Sequence, residues 1–221
     1  MTSQLVSHKT YADVRRHIQP GDIIAFGGKS LFSRWAKLTT GSVVTHVAVV
    51  LKSQVIEAPH LHPVNKLIEA TAYNGRKGVM INTLGERLTA YNGDIWWLPL
   101  AEHVRNNLHT SLDSFIDFLH EQEHKAYDIW QLFGSAVDAL DNFPVLHRLT
   151  KNMPDFSSWF CSELVAQAFH EVGVLSNINA SEVTPIDVCR FNIYAKEYVQ
   201  LKGEACHIDG INTLLADGWG H

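Results

Sequence analysis

A cysteine, a histidine and a carboxylate make a thiol nucleophile if the chain brings them together. The sulfur attacks, the imidazole takes and returns a proton near neutral pH, and the carboxylate fixes the imidazole tautomer and supports its cation. Among the 221 residues, Cys161 is the best-placed sulfur. It lies in Ser157-Ser158-Trp159-Phe160-Cys161-Ser162-Glu163-Leu164-Val165-Ala166-Gln167-Ala168-Phe169. Read as a helix, this run puts Cys161, Leu164, Val165, Ala168 and Phe169 on one apolar stripe. Ser157 or Ser158 suits the N-cap and Gly173 the stop. Cys161 then falls in the first turn, where the helix dipole and orphan N–H groups favour a thiolate and can later hold an oxyanion. The same position also suits a small buried hydrophobe at the start of a core helix.

The base candidate is His46, the one ionisable residue in the apolar, β-branched run Val43–Leu51. Such a run reads as a central strand. A histidine inside it is costly unless its ring nitrogens are paired, and a core histidine bonded to a carbonyl meets that need as well as a catalytic base does. Two short strand phrases follow, Val55-Ile56-Glu57-Ala58 and Leu67-Ile68-Glu69-Ala70-Thr71-Ala72, each with one carboxylate. Between them lies the loop Pro59-His60-Leu61-His62-Pro63. His60 and His62 can ligate a metal, with His46 as a third partner. With no HExxH, no CxxC and no cysteine nearby, no metal site is expected.

The elements that must position these residues follow from punctuation and periodicity. Ile23–Phe26 reads as a buried strand closed by Gly27-Gly28, and Ser30 caps a helix carrying Leu31, Phe32, Trp35 and Leu38. Asn74-Gly75 and Lys77-Gly78 read as turns, Val79–Asn82 as a strand and Leu84–Leu88 as a short helix. Asp94–Leu100 reads as a strand placed near an edge by Pro99. Thr110 and Asp113 resemble a capping box for a helix with Leu112, Phe115, Ile116 and Leu119 inward. Tyr127-Asp128 opens a second helix, residues 141–155 form a loop, and Thr184-Pro185 starts a short helix. The expected fold class is α+β in one domain over 1–221, with a β-rich unit at about 21–100 and a helical part at about 108–200.

Composition narrows the function classes. A hydrophobic fraction of 46% and a charged fraction of 19% are ordinary for a globular protein. A net charge of -5 gives no reason to expect nucleic acid as a partner. No run approaches the ~20 apolar residues of a transmembrane segment. The N-terminal residues lack the apolar core of a signal peptide, and three cysteines do not suggest a disulfide framework. A cytoplasmic setting is the simplest expectation. Oligomeric state is left open.

Several phrases recur in an order that resembles a known family. They are Gly21-Asp22-Ile23-Ile24, Thr40-Gly41-Ser42, Thr45-His46-Val47-Ala48-Val49-Val50, Ile68-Glu69-Ala70, Gly78-Val79, Tyr127-Asp128 and Phe160-Cys161-Ser162-Glu163-Leu164-Val165. Together they look like the circularly permuted papain-fold amidases of the YiiX type, within the NlpC-like thiol hydrolases. The resemblance implies a papain-like (NlpC-like) fold in permuted order, with an antiparallel sheet packed on helices that include the nucleophile helix. It implies Cys161 as nucleophile, His46 as base and a glutamate as the orienting residue. Glu69, followed by Gly78-Val79, fits that role better than Glu57, which fits the shorter spacing. The Cys161 N–H would help hold the oxyanion, and the resemblance implies no metal and no organic cofactor. The implied activity is a cysteine hydrolase acting on an amide, ester or thioester, with a small-molecule, peptide or lipid acyl substrate. A thiol acyltransferase similar to lecithin:retinol acyltransferase shares that chemistry. A non-catalytic binding module on the same fold, and a metal-dependent protein using His46, His60 and His62, are the readings from other classes.

Overall fold

The computed structural model describes residues 5–28, 42–56, 63–123 and 156–219. It is a mixed α+β structure. Seven strands form one sheet: β1 (Leu5–His8), β2 (Ile23–Gly28), β3 (His46–Val55), β4 (Val64–Tyr73), β5 (Arg76–Thr83), β6 (Gly93–Leu98) and β8 (Glu197–Lys202), in the order β1-β8-β6-β2-β3-β4-β5. β1 runs parallel to β8 and every other pair is antiparallel, so the sheet is mixed rather than purely antiparallel. β7 (Ser176–Ile178) and β9 (Asp217–Trp219) make a separate parallel pair. Six α-helices are described: α1 (Tyr11–Val14), α2 (Leu84–Ala90), α3 (Glu102–His109), α4 (Leu112–Gln122), α5 (Phe156–Glu171) and α6 (Pro185–Arg190).

The sheet is buried on both faces, which explains strands that are apolar throughout rather than alternating. One core packs Ile23, Ala25, Val47, Val49, Ile68 and Leu98 against α4 and α5. The other packs Ile24, Phe26, Ala48, Val50 and Leu67 against Val14 of α1 and Leu84 of α2. The apolar stripe of α5 is buried as its spacing predicts. Gly173, at φ +70, ends that helix, with the Val174 N–H bonding back to the Phe169 carbonyl. Thr184 and Asp187 form the capping box that starts α6, with Pro185 as its first residue.

Several expectations are corrected. The β3 strand starts at His46 and continues, with register shifts between Val50 and Lys52 and between Lys52 and Val55, to Val55, which pairs with Val64, so no separate strand begins at Val55. Lys77 and Gly78 lie within β5, because Asn74 and Gly75, both at positive φ, complete the hairpin turn alone. The β6 strand is interior, between β8 and β2, since Pro99 falls just past its end. Thr110 belongs to the end of α3, an unexpected helix, and bonds Asn107 rather than capping α4. The proposed Ser30 helix, the Tyr127-Asp128 helix and the 141–155 loop lie outside the described residues. No described helix is long and apolar enough to cross a membrane.

Asp22 locks the sheet where β2, β3, β6 and α3 meet. Its buried carboxylate accepts from the Trp97 indole at 2.9 Å, the Leu100 N–H at 3.0 Å and the Gln19 N–H at 2.9 Å, and it pairs with Arg105. Removing it leaves several donors without partners. Asp22→Ala should cost about 3 kcal/mol, lowering Tm by roughly 6 to 12 °C for a chain of this size. Lys9→Ala, which breaks an exposed pair with Glu197, should move Tm little. Thermal unfolding followed by circular dichroism compares the two.

Candidate active site

His46 sits where two neighbouring strands part. The β3–β4 ladder begins at Val49–Ile68 and does not reach Val47, whereas β4 stays paired with β5 from Lys66 to Tyr73. The Val47 N–H instead points at Cys161 and donates to its Sγ at 3.4 Å. Strand alternation puts His46 and Glu69 on the α1/α2 face, with Phe26, Ala48 and Leu67, while Cys161 belongs to the core on the α5 face. The three residues meet because the sheet is open between β3 and β4 at this level.

The row is buried throughout: Cys161 and Glu69 are 0% exposed and His46 is 7% exposed. His46 Nε2 lies 2.7 Å from Glu69 Oε2. That leaves Nδ1 for the hydrogen bond to Cys161. Burial pulls the His46 ring toward its neutral form. The charge and hydrogen bond of Cys161, then the bond and charge of Glu69, outweigh burial and lift the ring to about 9. Burial likewise opposes the Glu69 charge. His46, Arg87 and Asn82 together hold that carboxyl below its usual range. The arrangement favours an imidazolium held between a sulfur and a carboxylate.

Glu69 is held from its other side as well. Asn82 Nδ2 donates to Oε1 at 2.8 Å, and Arg87 Nε lies 2.9 Å from the same oxygen. The Arg87 N–H is aimed off the hydrogen-bond line, so that contact is Coulombic. The Arg87 guanidinium lies over the rings of Tyr73, Phe26 and Tyr91, at 4.7, 5.2 and 5.6 Å from their centroids.

Cys161, His46 and Glu69 are thus brought together. Glu57, His60, His62, Tyr127 and Asp128 lie outside the described residues. Among the described residues, no group of three or more His, Cys, Asp or Glu side chains is placed to hold a metal. Cys189 is a buried residue of α6, and that burial pushes its thiol far up, away from reactivity. Cys206 is half-buried, and none of the three cysteines forms a disulfide. Trp96 and Trp97 are core residues, donating to the Cys206 carbonyl and to Asp22.

One expectation fails. Because α5 opens at Phe156, Ser157 and Ser158 lie inside it and Cys161 is beyond the first turn. Helix geometry then pairs its N–H with the carbonyl of residue 157, so it is not among the four orphan donors. Asn82 and Arg87 went unrecognised in the sequence. Arg87 left a readable signal, a cation three residues after Leu84, on the apolar stripe of a short helix. Asn82 left none until register put it on the Glu69 face.

No family model matches the chain, and no curated protein matches it.

The imidazole pairing can be read directly. The ring of His46, followed by proton–nitrogen NMR, should titrate near about 9. Cys161→Ala should lower that value, since the sulfur supplies the largest attractive contributions. The sign for stability follows. A ring raised above its unfolded value of about 6.5 stabilises the fold fully below that pH and loses the contribution as pH rises through about 9. A wild-type ring titrating below 6.5, unmoved by Cys161→Ala, would contradict the pairing.

Proposed function

We propose that this chain is a cysteine hydrolase that cleaves an amide, ester or thioester through an acyl-enzyme on Cys161. The observation that carries the reading is the buried row Cys161–His46–Glu69, in which one imidazole joins a sulfur and a carboxylate from three separate elements. Burial of a histidine and a glutamate is costly for folding, and a row that poises a nucleophile is a reason to bear it. The order of the elements, histidine and glutamate strands before the cysteine helix, supports a papain-like fold in circularly permuted order.

The steps follow from the row. The Cys161 thiolate attacks the acyl carbon, forming a C–S bond and a tetrahedral oxyanion. The imidazolium of His46 gives its proton to the leaving nitrogen, oxygen or sulfur as that bond breaks. Neutral His46 then takes a proton from water. The hydroxyl attacks the thioester, the C–S bond breaks, and the thiolate–imidazolium pair returns. Glu69 keeps the ring in place and offsets its charge during both proton transfers.

The test offers short- and long-chain p-nitrophenyl esters and a peptide p-nitroanilide to the purified protein. The mixtures are quenched in acid and mapped by mass spectrometry. One acyl group should appear on Cys161, turnover should vanish in Cys161→Ala, and His46→Ala should slow acylation by roughly 10²- to 10⁴-fold. Acyl groups confined to lysines or Cys206, with turnover unchanged in Cys161→Ala, would remove the reading.

A further inference from the structure

We propose that Arg87 is a positioning residue for the Cys161–His46 pair, acting through Glu69, an inference that rests on the hydrolase reading above. Arg87 is 5% exposed, while its helix neighbours Glu86 and Thr89 face water. A guanidinium does not shed its proton, so its burial needs an anion. Glu69 is that anion, at 2.9 Å. The rings of Phe26, Tyr73 and Tyr91 enclose the cation and stabilise it through their faces. The enclosure is tied to the site twice more. Phe26 also stacks obliquely on His46, with centroids 5.2 Å apart. Tyr91 hydrogen-bonds the side chain of Thr45, the residue before His46.

Charge bookkeeping gives Arg87 its role. The row Cys161, His46, Glu69, Arg87 alternates minus, plus, minus, plus, with no net charge. Without Arg87 the buried row carries one net negative charge. That unmet charge falls on Glu69, whose carboxylate then takes up a proton more readily and stops supporting the imidazolium, so the Cys161 thiolate forms only at higher pH. The Glu69 carboxylate also loses one of the two groups that fix Oε1, and with it the aim of Oε2 at His46.

The experiment measures the iodoacetamide alkylation rate of Cys161 against pH, by peptide mapping, in the whole protein. The variants are Arg87→Met, Arg87→Lys, Glu69→Gln, His46→Ala and the double variant Glu69→Gln/Arg87→Met. Arg87→Met should move the acid limb up by roughly one pH unit, and Arg87→Lys, which keeps the charge, should stay within a few tenths of wild type. In the Glu69→Gln background, Arg87→Met should add no further shift. A wild-type limb in folded Arg87→Met, or the same shift in both backgrounds, overturns the proposal. If Arg87→Met does not fold, the double variant carries the test, since losing both ends of a buried pair is better tolerated than losing one. An acid limb equal to that of Glu69→Gln then supports the proposal, and a further rise overturns it. A wild-type Cys161 that titrates near about 8.5 and ignores His46→Ala overturns the hydrolase reading and this proposal together. A depressed wild-type limb with Arg87→Met unchanged overturns Arg87 alone.

Discussion

The carboxylate of Glu69 has no exposed surface, and a buried charge of that kind survives only where other groups meet both of its oxygens. His46 meets one, Asn82 and Arg87 the other. Those partners dictate much of the local fold. β4 must lie beside β3 to reach His46 and beside β5 to reach Asn82, and α2 must follow β5 at once to bring Arg87 back over the sheet. The Asn74-Gly75 turn sets the β4–β5 register, pairing Glu69 with Met80 and Leu67 with Asn82. A slip of one residue would turn Asn82 to the opposite face. Thr83 and Glu86 form the capping box that starts α2, and Arg87 follows within one turn.

Apolar packing and the polar row are separated in space. Two apolar cores cover the faces of the sheet, and the polar row runs through the seam where β3 and β4 part. A sheet zipped along its whole length would have closed that seam and satisfied the Val47 N–H with a β4 carbonyl. The open seam leaves that N–H to the sulfur and lets groups from opposite faces touch. The cost falls on a few charged residues. The apolar burial of β2, β3 and β6 offsets it, with Asp22 fastening those strands together.

How much of this was legible in the sequence depended on whether the signal was local. The α5 stripe, the Gly173 stop, the Asn74-Gly75 turn and the Thr184-Pro185 start each rest on a few adjacent residues, and each is where its pattern puts it. Edge and centre positions are set by strand order, which Pro99 could not report. The helix start failed because Ser157 and Ser158 suit both an N-cap and a helix interior. Pairing His46 and Glu69 with Cys161 came from ordered phrases spread along the chain, not from any one spacing. Asn82 and Arg87 act through register and burial, and only three-dimensional neighbours give those residue types a role.

The failed helix start bears on how the sulfur is controlled. A thiolate in the first turn would draw on the helix dipole, an effect that fades beyond that turn. Cys161 lies past it, so the groups that face its sulfur matter more than the helix end. Those groups are the imidazole of His46 and the N–H of Val47, consecutive residues of β3. The helix supplies the atom, and one strand supplies these polar neighbours. Their contact with the sulfur depends on the parting of β3 from β4. A seam zipped at that level would take the N–H from the sulfur and displace the ring.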